Sequence, residues 1–228
     1  LDSSFKLIGN SYLPFIPGYI LAIIAVVAMV FVTVNGRKKR EQMGLLLAPS
    51  VIDYGKISIY SVIILLLTYM LNRYLGIPVP FLVVVVVALA FMFITNKTAF
   101  GRRVYAIGGN PEAAALSGIK IKLNTLYVFI IMGALAGVAG VLLTARLNAA
   151  TVSAGNSYEL DAIAACVIGG TSLMGGKGKI VGAIIGALIM ASIDNGMSMM
   201  NIGAYWQYIV KGLILILAVW VDIVSKNK

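Results

Sequence analysis

The sequence predicts an all-α fold, a polytopic bundle of transmembrane helices, and three observations support that class. Of the 228 residues, 61% are hydrophobic and only 11% are charged, whereas soluble domains carry about 25% charged residues. Several apolar runs reach the roughly 20 residues that a helix needs to cross a bilayer. These runs are continuously apolar, whereas the strands of a membrane β-barrel alternate in segments of about 10 residues.

Six full spans and one short segment are predicted along the chain. The prolines Pro78 and Pro80 restart the chain before the third span, because proline is tolerated in the first turn of a helix. The short segment is rich in Ala and Gly, and it is too short for a simple crossing. The spans cover residues 16–34, 57–75, 81–95, 123–144, 180–200 and 208–224, and the short segment covers residues 160–173.

Small residues recur at four-residue spacing in the later spans. Gly133 and Gly137 form one pair, and Gly178, Gly182 and Gly186 form a triple. Such faces let helix backbones approach closely in lipid. They predict close helix packing, and sliding of these helices during gating is compatible with that packing.

The basic residues predict an orientation, because cytoplasmic loops carry an excess of Lys and Arg. Threading the chain alternately, with the Arg37–Arg40 loop inside, leaves only Lys6, Arg73 and Arg146 outside and Lys211 within the last span. The short segment must then also return the chain to the inside, and the C-terminus is cytoplasmic. The basic residues predicted inside are Arg37, Lys38, Lys39, Arg40, Lys56, Lys97, Arg102, Arg103, Lys120, Lys122, Lys177, Lys179, Lys226 and Lys228.

Composition and motifs argue against nucleic-acid binding and catalysis. The net charge is +10, but the basic residues lie between spans with few interleaved aromatics, which is not typical of nucleic-acid binding. The chain has no histidine, so the usual general base and the commonest nitrogen ligand of metals are absent. Cys166 lies in an apolar run and is expected to be a small buried hydrophobe. We predict no catalytic residue and no metal site.

One glycine-rich stretch has a superficial likeness to a phosphate-binding loop. Residues 170–178 read GTSLMGGKG, but the motif requires Gly, four residues, then Gly-Lys-Ser/Thr. Gly178 stands where the magnesium-binding hydroxyl belongs, and Thr171 stands where the first Gly belongs. We therefore expect no cofactor and no ATP on this chain.

A polar island, Thr98–Lys122, separates two apolar spans. Within it, Asn110 is a good helix cap, Pro111 fits the first helical position, and Glu112 suits the positive end of the helix dipole. Three alanines follow, and Gly118 suits the position just past the helix end. The pattern predicts a short capped helix that docks on a partner, and an ordinary structured loop remains the alternative.

The short segment has features of a translocation pathway or gate. Glu159 and Asp161 lie at its mouth, and acidic groups there are costly unless they face water or a polar partner. The pairs Gly169-Gly170 and Gly175-Gly176 should break the helix, and broken helices at membrane depth survive only where they are buried or line a cavity. A packed re-entrant hairpin remains the alternative.

A second polar set lies at the ends of the last two spans. Asp194 and Asn195 can hydrogen-bond sugar hydroxyls, and the pair Trp206-Gln207 offers an aromatic ring that can stack on a sugar face. Trp206 is equally well explained as an interfacial anchor. Lys211, one turn into the last span, is expected to snorkel outward.

The motifs also resemble a known family. FGRRVYAIGGNPEAAALSGI resembles the cytoplasmic loop of bacterial sugar ABC-transporter permeases of the ribose/galactose/xylose group. ELDAIAACVIGGTSLMGGKG, DNGMSMM, WQYIVKG and LAVWVD are most similar to the xylose type. The family carries an earlier membrane half with an acidic D-L-S-V-G motif that this sequence lacks. We therefore expect residues 1–228 to be a single transmembrane permease domain from the C-terminal part, with a coupling loop at residues 97–122.

The resemblance implies an inner-membrane subunit of a bacterial, ATP-driven importer of xylose or a related monosaccharide. Its implied partners are a second permease subunit in a homodimer, a periplasmic or lipid-anchored sugar-binding protein, and a cytoplasmic ATPase that holds ATP and magnesium. The coupling role falls on Gly109, Asn110, Pro111, Glu112, Ala113, Ala114, Ala115, Ser117 and Gly118. The resemblance places the gate within residues 159–176 and identifies no sugar contacts.

Two alternatives to a permease have weaker support in the sequence. A secondary transporter or channel for a small polar solute would favour ionisable groups deep in the spans, whereas Asp161 and Asp194 lie near segment ends. An intramembrane enzyme would need a recognisable catalytic motif, and neither HExxH nor GxSxG occurs in the sequence.

Overall fold

The computed structural model describes residues 9–44, 50–152 and 154–226, and these are predominantly α-helical. Six of the described helices are long and apolar enough to cross a membrane, which confirms the predicted polytopic helical fold. The elements are β1 (Tyr12–Leu13), α1 (Phe15–Gln42), α2 (Ser50–Tyr74), β2 (Ile77–Pro78), α3 (Val79–Lys97), α4 (Ala99–Gly109), α5 (Pro111–Leu116), α6 (Ile121–Leu147), α7 (Tyr158–Ile168), α8 (Ile180–Met199) and α9 (Ala204–Lys226).

The predicted spans correspond to α1, α2, α3, α6, α8 and α9, and the predicted short segment corresponds to α7. Helix α7 has only 11 residues, about 16 Å of helix at 1.5 Å per residue. Helix α4 was not predicted as a helix, because its sequence mixes arginines, aromatics and glycines without a long apolar run. Lys6 and Lys228, which the charge argument assigns to opposite sides, lie outside the described residues.

Residues 1–83 form one compact unit. Its helices α1 and α2 pack together, and two-residue strands pair antiparallel with Tyr12 opposite Pro78 and Leu13 opposite Ile77. The Asn72 side chain donates a hydrogen bond to the Phe15 carbonyl at 3.3 Å, which ties the end of α2 to the start of α1.

Residues 84–228 form the second unit, and its best-packed part is the group of α7, α8 and α9. Ala164 and Ala165 of α7 are buried against Met190 of α8. A side chain at Gly186 would overlap the Ala165 carbonyl, and one at Gly182 would overlap the Gly169 carbonyl. Two members of the predicted glycine triple therefore bring the backbones of α7 and α8 together, because no larger residue permits that approach.

Gly133 and Gly137 differ from that triple. A Cβ atom built on either would meet no described atom within 4 Å. Their role in helix packing stays a prediction.

Helix α7 leads the chain back toward the polar island. The loop after α7, residues 169–179, lies against the end of α4, since the backbones of Gly108 and Gly176 meet there. The loop that follows the short segment therefore lies beside the end of α4, and the membrane orientation assigned by the basic residues stays a prediction.

Candidate functional site

The polar island folds into two capped helices, α4 and α5. Thr98 Oγ1 accepts a hydrogen bond from the Gly101 amide at 3.3 Å and starts α4. Asn110 Oδ1 accepts one from the Ala113 amide at 3.0 Å and starts α5, with Pro111 in the first turn. Gly118 follows α5 with φ +78°, a conformation that glycine adopts without strain. The predicted cap, first-turn proline and terminal glycine are all confirmed as local structure.

Most of α5 faces away from the rest of the chain. Ala114 is buried and is the side by which α5 contacts its own unit, whereas the other predicted coupling residues of this segment are exposed or half-buried. Leu116 is 92% exposed, Arg102 and Arg103 of α4 are also exposed, and Arg103 lines the same surface pocket as Ser117 and Gly118. The exposure of Leu116 is not predictable from the sequence, because an apolar residue in a short helix usually faces inward. A coupling role for the surface stays a prediction.

The loop after α7 is held closely by α4. We call residues 169–179 the glycine loop. Gly175 and Gly176 have φ values of +90° and +74°, which side chains rarely tolerate. A Cβ atom at Gly108 would lie 2.6 Å from the Gly176 nitrogen, and the Tyr105 hydroxyl donates a hydrogen bond to the Gly178 carbonyl at 3.0 Å.

The far end of α9 holds the other side of the glycine loop. Asp222 Oδ2 accepts a hydrogen bond from Ser172 Oγ at 3.1 Å and another from the Leu173 amide at 3.1 Å. This role of Asp222 is not visible in the sequence, because no local pattern shows that it meets a loop about 50 residues earlier in the chain.

Three charged side chains meet at the other end of α7, where α7, α8 and α9 come together. The Lys211 ammonium lies 2.7 Å from Asp161 Oδ2 and 2.9 Å from Asp194 Oδ2. Its side chain is 11% exposed, against 18% for Asp161 and 34% for Asp194. We call these three residues the ion triad.

The ion triad shows that the expected outward direction of Lys211 is wrong, and it places Lys211 with the predicted pathway residues Asp161 and Asp194. Lys211 does not snorkel outward, because two carboxylates hold its ammonium among three helices. Oδ1 of Asp161 and Oδ1 of Asp194 are buried and have no hydrogen-bond partner among the described residues. With two carboxylates and one ammonium, the group carries a formal charge of −1 and retains unused acceptors.

The remaining predicted pathway residues are not part of the triad. Glu159, Asn195 and Trp206 are exposed and make no ion pair with it in the described chain. Gln207 donates a hydrogen bond to the Ile202 carbonyl at 2.9 Å, which fixes the turn before α9. Gly169 and Gly170 end α7, as predicted.

Comparison with known proteins identifies the family. Residues 8–219 match the family described as branched-chain amino acid transport system / permease component. The chain belongs to this permease family. It is 50% identical over 221 residues to the Xylose transport system permease protein XylH of Escherichia coli (strain K12), covering 97% of this chain and 56% of that relative.

Two further relatives extend the comparison. The Haemophilus influenzae protein of the same name is 50% identical over 228 residues, 100% of this chain and 61% of the relative. The Ribose import permease protein RbsC of Bacillus subtilis (strain 168) is 47% identical over 149 residues, 65% of this chain and 46% of the relative. No solved structure matches the chain.

These similarities confirm the resemblance to sugar ABC-transporter permeases. They make the chain a transport component and a multi-pass membrane protein, not a member of an enzyme family. The permease chain spans 56% and 61% of the two xylose-named relatives.

Proposed function

We propose that this chain is the membrane-spanning permease part of an ATP-driven bacterial sugar importer, for xylose or a related monosaccharide. The observation that carries the proposal is the 50% identity to xylose-named permeases over essentially the whole chain. The ribose-named relative matches less of the chain, so we place xylose first.

The proposed assembly lies in the bacterial inner membrane. A second permease copy, a cytoplasmic ATPase that holds ATP and magnesium, and a periplasmic or lipid-anchored sugar-binding protein complete it. The distribution of basic residues supports a cytoplasmic C-terminus and a cytoplasmic position for α4 and α5.

The ATPase would dock on α5. An exposed helix with a leucine at its end and arginines nearby suits a groove that has apolar and acidic walls. Burying the Leu116 side chain there would contribute about 1.5–3 kcal/mol, and Asn110 would hold the helix in shape before docking. The extended backbone of Asn110 separates α5 from α4, and Gly118, with φ +78°, allows the chain to turn after α5.

The ion triad would lie beside the sugar pathway. A sugar presents many hydroxyl donors, and the unpartnered Oδ1 atoms of Asp161 and Asp194 are acceptors of the matching kind. Lys211 would hold both carboxylates in a fixed orientation. The other proposed pathway residues lie within a few positions of the ion triad on α7, α8 and α9. They are Glu159, Asn195, Trp206 and Gln207.

Uptake of radiolabelled xylose tests the proposal. The polypeptide that carries this chain is expressed with its ATPase and binding protein in a strain that lacks its own pentose importers. We expect uptake that stops on ATP depletion and persists when an ionophore collapses the proton gradient. A Leu116→Asp variant should retain membrane insertion, because Leu116 is exposed, and should lose most uptake, because acidic walls repel the new carboxylate.

The alternative, a secondary transporter or channel, is favoured by one observation: the ion triad places three ionisable groups between helices, where proton or sodium relays occur. Uptake that ignores ATP depletion and collapses with the ionophore would support this alternative and refute the ATP-driven importer.

A further inference from the structure

We propose that movement of α5, the helix on which the ATPase is proposed to dock, displaces the glycine loop, and that the loop in turn displaces α7 and α9. Tyr105, Gly108 and Asp222 act as its positioning residues. The inference rests on the proposed function. It identifies the glycine loop as the contact through which α4 and α5 act on the transmembrane helices.

The first step is the contact between α4 and the loop. Helix α4 continues directly into Asn110 and α5, so movement of α5 acts on Gly108 through two intervening residues. Gly108 meets Gly175 and Gly176 backbone to backbone, with room for no Cβ atom. Even a small displacement of one backbone therefore moves the other, because no flexible side chain lies between them.

The second step is the contact between the loop and α9. Asp222 binds the loop at two points, Ser172 Oγ and the Leu173 amide. Lys211 lies about three helical turns before Asp222, so both project from one face of α9. Helix α9 therefore binds the glycine loop through Asp222, near its C-terminal end, and binds Asp161 of α7 through Lys211, near its N-terminal end. A displacement of the loop must then move both α7 and α9.

The third step concerns the space beside the loop. A cavity of about 420 Å³ lies between the loop, α4 and the neighbouring helices, and Val104, Val128 and Cys166 are among its lining residues. Side chains of the described residues leave this space beside the loop unfilled. The Tyr105 hydroxyl and the glycine backbones carry the connection, and the loop has room to move.

The test measures coupling in the assembled transporter, reconstituted in liposomes with its ATPase and binding protein. The readout is the amount of sugar moved per ATP hydrolysed. Tyr105→Phe removes only the hydroxyl that binds the Gly178 carbonyl, and Gly108→Ala places a Cβ atom 2.6 Å from the Gly176 nitrogen. Gly140→Ala is the matched control, since its Cβ atom meets nothing within 4 Å.

We expect Tyr105→Phe to lower the ratio about fivefold, the effect of about 1 kcal/mol for one hydrogen bond, and Gly108→Ala to lower it at least tenfold. ATPase binding and basal hydrolysis should stay within twofold of the parent. Asp222→Ala should lower the ratio, and Asp222→Asn, which keeps an acceptor oxygen, should recover part of it.

Two outcomes overturn the inference. Either Tyr105→Phe and Asp222→Ala keep the parental ratio, or they lose ATPase binding in proportion to transport. Failure of the proposed function looks different, because the parent itself would then show no sugar-stimulated hydrolysis and no ATP-dependent uptake. Tyr105→Phe keeps the test valid if Gly108→Ala fails to insert.

Discussion

Replacing Lys211 by methionine tests the ion triad. Methionine has a similar length, so the change removes mainly the ammonium, which lies 2.7 Å and 2.9 Å from two carboxylates. Removing one partner of a buried ionic group destabilises a protein by about 3–5 kcal/mol, because the remaining charge is left uncompensated. Asp194 is 34% exposed, so the helices enclose its carboxylate incompletely, and we take the lower figure, about 3 kcal/mol.

The measurement is thermal unfolding of the purified protein in detergent, followed by fluorescence-detected size exclusion. About 3 kcal/mol corresponds to a fall in Tm of roughly 6–12 °C for a chain of this size. Lys56→Met is the matched control, because Lys56 is exposed on α2 and its loss should change Tm by less than about 2 °C.

A neutral version of the triad separates charge from packing. The triple variant Asp161→Asn, Asp194→Asn, Lys211→Met carries no charge, so it should recover most of the Tm that Lys211→Met alone loses. The reasoning is refuted if Lys211→Met unfolds within 2 °C of the parent, or if the triple variant is less stable than the single one.

Three further predictions concern the proposed docking helix α5 and the close approach of α7 and α8. Asn110→Ala removes the cap of α5, which should destabilise that helix by about 1 kcal/mol and weaken ATPase binding severalfold in a pull-down; unchanged binding would contradict it. Leu116→Ser should weaken the same binding at least tenfold while Tm stays constant, since Leu116 is exposed; a large fall in Tm would show that it packs within the chain. Gly186→Ala should prevent stable expression, because its Cβ would overlap the Ala165 carbonyl, whereas Gly196→Ala on the same helix meets nothing within 4 Å and should express normally.

The features that could be predicted from the sequence depend on interactions between residues close together in the chain. Long apolar runs define the spans because each helix must satisfy its own backbone hydrogen bonds in lipid. The start and end of α5 follow from Asn110, Pro111 and Gly118, which act within one turn. The break after α7 follows from Gly169 and Gly170, since paired glycines disfavour a continued helix.

The sequence by itself determined the helical membrane class, the number of spans, the short capped helix α5 and, through its motifs, the permease family. Only the tertiary structure decided that Lys211 turns inward to Asp161 and Asp194, that Asp222 binds the glycine loop, and that Gly108 meets Gly176. These contacts join residues from 17 positions apart, for Lys211 and Asp194, to 68 positions apart, for Gly108 and Gly176, and no local preference encodes them. The contacts of Lys211 depend on how α7, α8 and α9 pack together, and the contacts of Asp222 and Gly108 depend on where the glycine loop meets α9 and α4.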